Sequence, residues 1–183
     1  NPFSDDRDDS ISTLWGDSAS GLEVETVFTL RGGNAGSGQG DLAEQIALTN
    51  NGNQAITLSF FQFVDFDLGG DFSDDAGQIL SGNTVTQSDD DFFVSETVVT
   101  PSPTLSQVGN AIAMSNFLNN ASIDNLDGTT AFAGDVGWAF QWDIVLEAGE
   151  QFIISKDKSI VPAPGSLLLL GASGLIAGRR RRS

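Results

Sequence analysis

The chain has 183 residues, a formal net charge of −17, 39% hydrophobic residues and 21 Gly, and it contains no Cys, His or Tyr. Without His or Cys it cannot assemble a Ser-His-Asp or Cys-His nucleophile pair, a thiolate redox centre or a His/Cys zinc site, so the expectation is that it is not an enzyme. Outside the terminal run Arg179, Arg180, Arg181 and Arg182 its basic residues are Arg7, Arg31, Lys156 and Lys158, and so acidic a body repels phosphates, which excludes nucleic acid as a partner.

The first residue is Asn1 rather than Met, which reads as a processed or shortened N-terminus. Asp5, Asp6, Asp8 and Asp9 gather around Arg7 in a solvated acidic segment assigned to residues 1–20, with Trp15 placed to cover an open end of the fold. From Gly21 the texture changes. Leu22, Val24, Thr26, Phe28 and Leu30 alternate with the residues between them, the period-two pattern of a strand with one buried face. Gly32, Gly33, Gly36, Gly38 and Gly40 form a hairpin loop; it lacks the Lys-Ser/Thr ending and the following helix of a phosphate loop. A second strand covers Leu42 to Thr49, and Asn50-Asn51-Gly52-Asn53 predicts a hairpin turn into the next. Gln54 to Leu68, with Phe60, Phe61, Phe63 and Phe66, reads as a central strand. Asp71 to Gly82 has turn chemistry, and short strands follow at Asn83 to Ser88 and Phe92 to Thr100, ended by Pro101 and Pro103. Leu105, Val108, Ile112, Met114, Phe117 and Leu118 approximate helical spacing, which predicts one helix over Thr104 to Ala121 with Thr104 as its N-cap. Ala131 to Leu146 and Gln151 to Ser155 read as the last strands. Trp138, Phe140 and Trp142 share one face there, either as core or as an aromatic strip for sugars. Many short strands broken by Gly and Asn turns predict one mainly β domain over residues 21–159, an antiparallel β-sandwich of jelly-roll-like form with one short helix.

Candidate chemistry lies in the carboxylates. Asp65, Asp67 and Asp71, followed by Asp74 and Asp75, sit at one strand end and in the Gly69-Gly70 turn after it, and hard oxygen ligands in such a place can hold Ca²⁺. The alternative is a set of solvated turn carboxylates. The spacing is not that of an EF-hand, because Ala76 stands where the twelfth-position Glu belongs. Asp89 to Asp91 read as an exposed, self-repelling run. Acidic pairs able to hydrolyse glycosides cannot be singled out among 25 Asp and Glu, since that chemistry needs two carboxyls at a defined separation. Asn120-Ala121-Ser122 matches the N-glycosylation acceptor tripeptide. No catalytic residue and no cofactor other than Ca²⁺ are expected.

Residues 160–183 differ from everything before them. Pro162-Ala163-Pro164 is followed by the uncharged stretch Gly165 to Gly178, containing Leu167 to Leu170, Leu175 and Ile176, and then by the four consecutive residues Arg179, Arg180, Arg181 and Arg182. As a helix the apolar stretch would span ~21 Å against a hydrocarbon core of ~30 Å, a short transmembrane helix. Arg179, Arg180, Arg181 and Arg182 would orient it by holding the cytoplasmic side. The alternatives are a plain single-pass anchor and a buried C-terminal helix. This ending resembles the PEP-CTERM sorting signal of bacterial exported proteins, with Ala163 where the usual motif has Glu. The body segments Phe60 to Leu68 and Ala139 to Asp143 are also similar to members of that group. The resemblance implies an exosortase as partner, one that cleaves near Pro162, Ala163 and Pro164. It implies an inner-membrane-anchored precursor and then delivery to the cell surface or extracellular matrix; the strong negative charge of the released domain suits cations or polysaccharide-bound ions, which makes extracellular polysaccharide a further partner.

Overall fold

The computed structural model describes residues 9–163 apart from 121 and 123. Within it, eight strands form one sheet: β1 (Ser10–Asp17), β2 (Leu22–Gly32), β3 (Gly40–Asn50), β5 (Asp75–Ser81), β6 (Thr84–Ser88), β7 (Phe92–Thr100), β9 (Ala131–Gly134) and β11 (Gln151–Pro162). Their order across that sheet is β1-β2-β3-β11-β7-β6-β5-β9. A smaller sheet of three uses β4 (Ile56–Asp65), β8 (Leu105–Asn110) and β10 (Val136–Leu146), in the order β4-β10-β8. Every pairing is antiparallel. The expectation of a mainly β, antiparallel sandwich is met, while the unequal sheets depart from the two Greek-key halves of a jelly roll.

The sandwich core is built from the inward parity of both sheets. Ile46, Leu48, Val85, Val94, Val98 and Ile154 of the large sheet close on Trp138, Phe140, Trp142, Ile144 and Leu146 of β10. Trp138 and Phe140 are wholly buried, so the shared-face aromatics are core rather than a sugar strip. The other face of the small sheet is covered as well. Helix α1 (Ala111–Leu118) lays Met114, Phe117 and Leu118 over Ala139, Phe61, Phe63 and Leu105. Buried on both faces, β10 reads as a near-continuous apolar run instead of an alternating one.

That double burial explains the misplaced helix. Val108 belongs to the core between the sheets and Leu105 to the cluster under α1. Their three-residue spacing therefore marks opposite faces of a strand, paired Val108 to Trp138 and Leu105 to Gln141. The helix begins only after Asn110, whose Oδ1 accepts from the Ala113 N–H at 2.9 Å, the usual N-cap bond.

The turn Asn50 to Asn53 is not a hairpin, since β3 and β4 lie in different sheets. Asn50 is fully buried; its Nδ2 donates to the carbonyls of Gln54 at 2.8 Å and Leu146 at 2.9 Å, and its Oδ1 accepts from Gly52 N–H at 2.9 Å. Those bonds carry the chain from one sheet to the other. The Gly-rich loop does close a hairpin, β2 to β3, with Gly32 opposite Gly40. Two segments read as end or turn are strands. Ser10–Asp17 pairs with β2, and Asp75–Ser81 lies between β6 and β9. The sandwich thus extends past both expected limits, from Ser10 to Pro162.

No helix among the described residues is long and apolar enough to cross a membrane. Pro164, the expected transmembrane helix over Gly165 to Gly178, and the expected orienting residues Arg179, Arg180, Arg181 and Arg182 lie outside the described residues.

Candidate functional site

Asp65 is the last residue of β4, and Asp67 precedes a 3₁₀ turn over Leu68–Gly70. Gly69 and Gly70 hold φ of 64° and 84° there, a backbone that L side chains resist, and buried Leu68 anchors the turn in the core. Asp135 sits between β9 and β10. The register opposes Asp65 to Gly137, which brings Asp135 alongside. One carboxylate oxygen from each of Asp65, Asp67 and Asp135 lies within 4.8 Å of the others. Burial, then the charge of Asp135 and then that of Asp67 raise the Asp65 pKa above its ordinary value. Three like charges at that spacing favour a bound proton or a cation between them.

Asp71 is not in the group. Its Oδ1 accepts from the Ser73 N–H and hydroxyl, both at 2.8 Å, and these bonds hold its pKa below the usual range. Its bonds serve the local turn. Asp89 likewise accepts backbone N–H groups, from Asp91 at 2.8 Å and from Phe92, so it organises a turn instead of standing in a free acidic run. Asp135 had no signal near Asp65 in the sequence, because only the β4–β10 pairing brings the two segments together.

A second polar group lies between the sheets. Lys156 Nζ is 2.6 Å from Glu44 Oε2 and 3.0 Å from Glu96 Oε1, all three side chains almost wholly buried. Lys158 adds contacts of 3.8 and 3.5 Å to the same two carboxylates. Trp138 Nε1 donates to Glu96 Oε2 at 2.6 Å, and Gln62 Nε2 reaches Glu44 Oε2 at 3.4 Å, so both bonds cross from the small sheet to the large. Two positive and two negative charges cancel, the condition for burying them at all. A signal for this network was present in strand parity: Glu44 shares a face with Ile46 and Leu48, Glu96 with Val94 and Val98, and Lys156 with Ile154.

Asp75 is a third. It is 1% exposed and neither carboxylate oxygen has a hydrogen-bond partner at bonding geometry. Burial pushes its pKa up to about 6, against the lowering pull of the Gln87 side chain and the Leu68 backbone and with smaller raising contributions from Asp89 and Asp74.

Of the expected sorting motif, Pro162 ends β11 opposite Phe92, and buried Ala163 donates its N–H to the Asp91 carbonyl at 2.7 Å. Pro162 is therefore part of the sheet, and Ala163 is tied to the segment just before β7.

No family model matches the chain, and no curated protein matches it. Solved structures do resemble it. A protein from Escherichia coli K12 described as an aldose 1-epimerase aligns at a TM-score of 0.50 and 9% identity over 86% of this chain and 66% of that one. One from the human microbiome described as a kojibiose phosphorylase aligns at 0.47 and 8%, over 95% and 21%. A bacterial glucoamylase in complex with acarbose aligns at 0.41 and 8%, over 91% and 26%. The chain spans about a fifth of the phosphorylase and about two thirds of the epimerase. The sandwich is shared with a protein described as an aldose 1-epimerase, which overturns the expectation that the chain is not an enzyme. At such identities the likeness is one of fold alone.

Proposed function

We propose that this chain is an exported protein whose β-sandwich is delivered to the cell surface or extracellular matrix by a C-terminal sorting segment, residues 160–183, processed by an exosortase. The observation that carries this reading is the succession Pro162-Ala163-Pro164, uncharged Gly165 to Gly178, and Arg179-Arg180-Arg181-Arg182. Such a tail places the four Arg at the cytoplasmic headgroups, the apolar stretch in the bilayer as a short transmembrane helix, and the acidic body outside. The fold is compatible with loss of the tail, since among the described residues the last strand ends at Pro162. Cleavage C-terminal to Ala163 would leave every strand of the described sandwich intact. Intact mass of the native protein after cell fractionation tests this, beside a Pro162→Ala, Pro164→Ala double variant. Loss of the tail in the wild type only is the expected result; an intact tail in both, with the protein confined to the inner membrane, would overturn it.

A second reading, in which the exported sandwich binds Ca²⁺ and through it an acidic polysaccharide, is favoured by the convergence of Asp65, Asp67 and Asp135. Ca²⁺ at ~5 mM, above the ~0.1–1 mM constants of extracellular Ca²⁺ modules, should raise the melting temperature of the wild type. The rise should vanish in an Asp65→Asn, Asp135→Asn variant. No rise in the wild type, or an equal one in the variant, rejects the site.

A further inference from the structure

Among the described residues, the edge of the large sheet at β1 is open in an unusual way. From Ser10 to Gly16 the strand carries no charge in a chain of net charge −17, and its residues are exposed on both faces. Ile11 is 61%, Leu14 67% and Trp15 58% exposed. Natural edge strands are blunted by charge, proline or a bulge, and none of these interrupts Ser10 to Gly16; the β1–β2 register is continuous.

The hydrogen-bond phase shows which backbone groups of β1 have no partner strand among the described residues. Leu30 N–H donates to the Asp9 carbonyl, and the register continues Ser10 to Thr29, Ile11 to Phe28 and Thr13 to Thr26. In an antiparallel ladder, bonded pairs alternate, so the odd-numbered residues of β1 bond β2 and Ser10, Ser12, Leu14 and Gly16 turn their N–H and C=O groups outward. Side chains alternate too. Trp15 stands opposite Val24, which packs on the core. Ile11, Thr13 and Trp15 therefore lie on the inner face, beyond the cover of the small sheet.

We propose that β1 is a self-association edge, pairing antiparallel with β1 of a second copy about a two-fold axis at Thr13. A two-fold perpendicular to the sheet requires paired residue numbers of equal parity. The register that places Ser10 opposite Gly16 and Ser12 opposite Leu14 uses every outward backbone group of the strand. It also sets Ile11 of each copy against Trp15 of the other, at the closer, non-hydrogen-bonded spacing where aromatic and β-branched pairs stabilise a sheet. Shifting the strands by two residues in either direction opposes Ile11 to Asp17 or Trp15 to Asp9 instead. Self-complementarity in one register is what selects a second copy over an unrelated peptide. A single strand pair covers less than the ~800 Å² per partner of a standard interface, so the association is concentration-driven. In this register Asp9 faces Asp17 at each end, so raised ionic strength should strengthen it.

The test uses the full chain in mild detergent, by sedimentation at low and high salt and by cysteine cross-linking. The chain has no native cysteine, so Thr13→Cys, which meets itself across the axis, reports the register directly; Leu14→Cys does not meet itself there. Ser12→Pro removes an outward N–H that β2 does not use, and Val99→Lys alters an exposed apolar residue elsewhere. The expected result is a dimer that grows with salt, falls at least tenfold in association constant in Ser12→Pro but not in Val99→Lys, and cross-links at least tenfold faster through Thr13→Cys than through Leu14→Cys. A monomer at every concentration, a dimer indifferent to Ser12→Pro, or equal cross-linking by the two cysteines overturns the proposal. If Ser12→Pro proves unfolded by its melting curve, the cysteine pair decides alone. The result is independent of the sorting assignment, which the mass measurement tests.

Discussion

Asp75 shows how one residue can oppose the fold that contains it. Its pKa in the fold, about 6, lies above the ~3.9 of an unfolded Asp. Between those values the native state binds more protons than the unfolded one, so stability is fully present below pH ~4 and declines as pH rises through ~6. A displacement of that size corresponds to at most ~3 kcal/mol. Asp75→Asn should therefore raise stability by that amount at pH 7.5 and change little at pH 4, as read by urea denaturation at both. A variant that stabilises equally at the two values would mean that ionisation is not the cause. The residue itself was legible as acidic and near a turn; its burial was not, because Asp71 to Gly82 has turn composition and only pairing with β6 and β9 makes it strand.

At the scale of elements, the joints differ more from expectation than the strands do. The alternation from Leu22 to Leu30 and the bulk of Gln54 to Leu68 report their own backbone state, because side chains on a strand alternate whatever lies opposite. Asn50 to Asn53 has the composition of a hairpin turn, yet it serves as a crossover because the Asn50 side chain is tied to Leu146 on the other sheet. Asn50→Ala removes those bonds, among them the buried one to the Leu146 carbonyl, which should cost roughly 2–4 kcal/mol, measured as a shift in urea midpoint. A loss below ~1 kcal/mol would show that the turn backbone alone directs the crossing. The segment 105–118 is the complementary lesson. Apolar residues three apart satisfy a helical template, but two buried faces of one strand satisfy it as well, and periodicity does not tell them apart.

Across the whole molecule, the network of Glu44, Glu96, Lys156 and Lys158 joins strands β3, β7 and β11, while Trp138 and Gln62 fasten it to the smaller sheet. Removing Lys156 leaves two buried carboxylates without their nearest cation. Lys156→Met should then cost ~3–5 kcal/mol. Lys158, more exposed and farther from both carboxylates, should cost ~1 kcal/mol or less on the same substitution. Thermal or urea melts of the two variants compare them directly, and equal losses would refute the assigned geometry. Much of the β character, the aromatic core strand and the distinct tail composition were determined by the sequence alone, since each is written in neighbouring residues and their period. Only the tertiary structure decided that Asp135 meets Asp65 and Asp67, that Lys156 lies between Glu44 and Glu96, and that the strands divide eight to three. Those relations depend on strand register and sheet order between distant segments, which local alternation leaves undetermined.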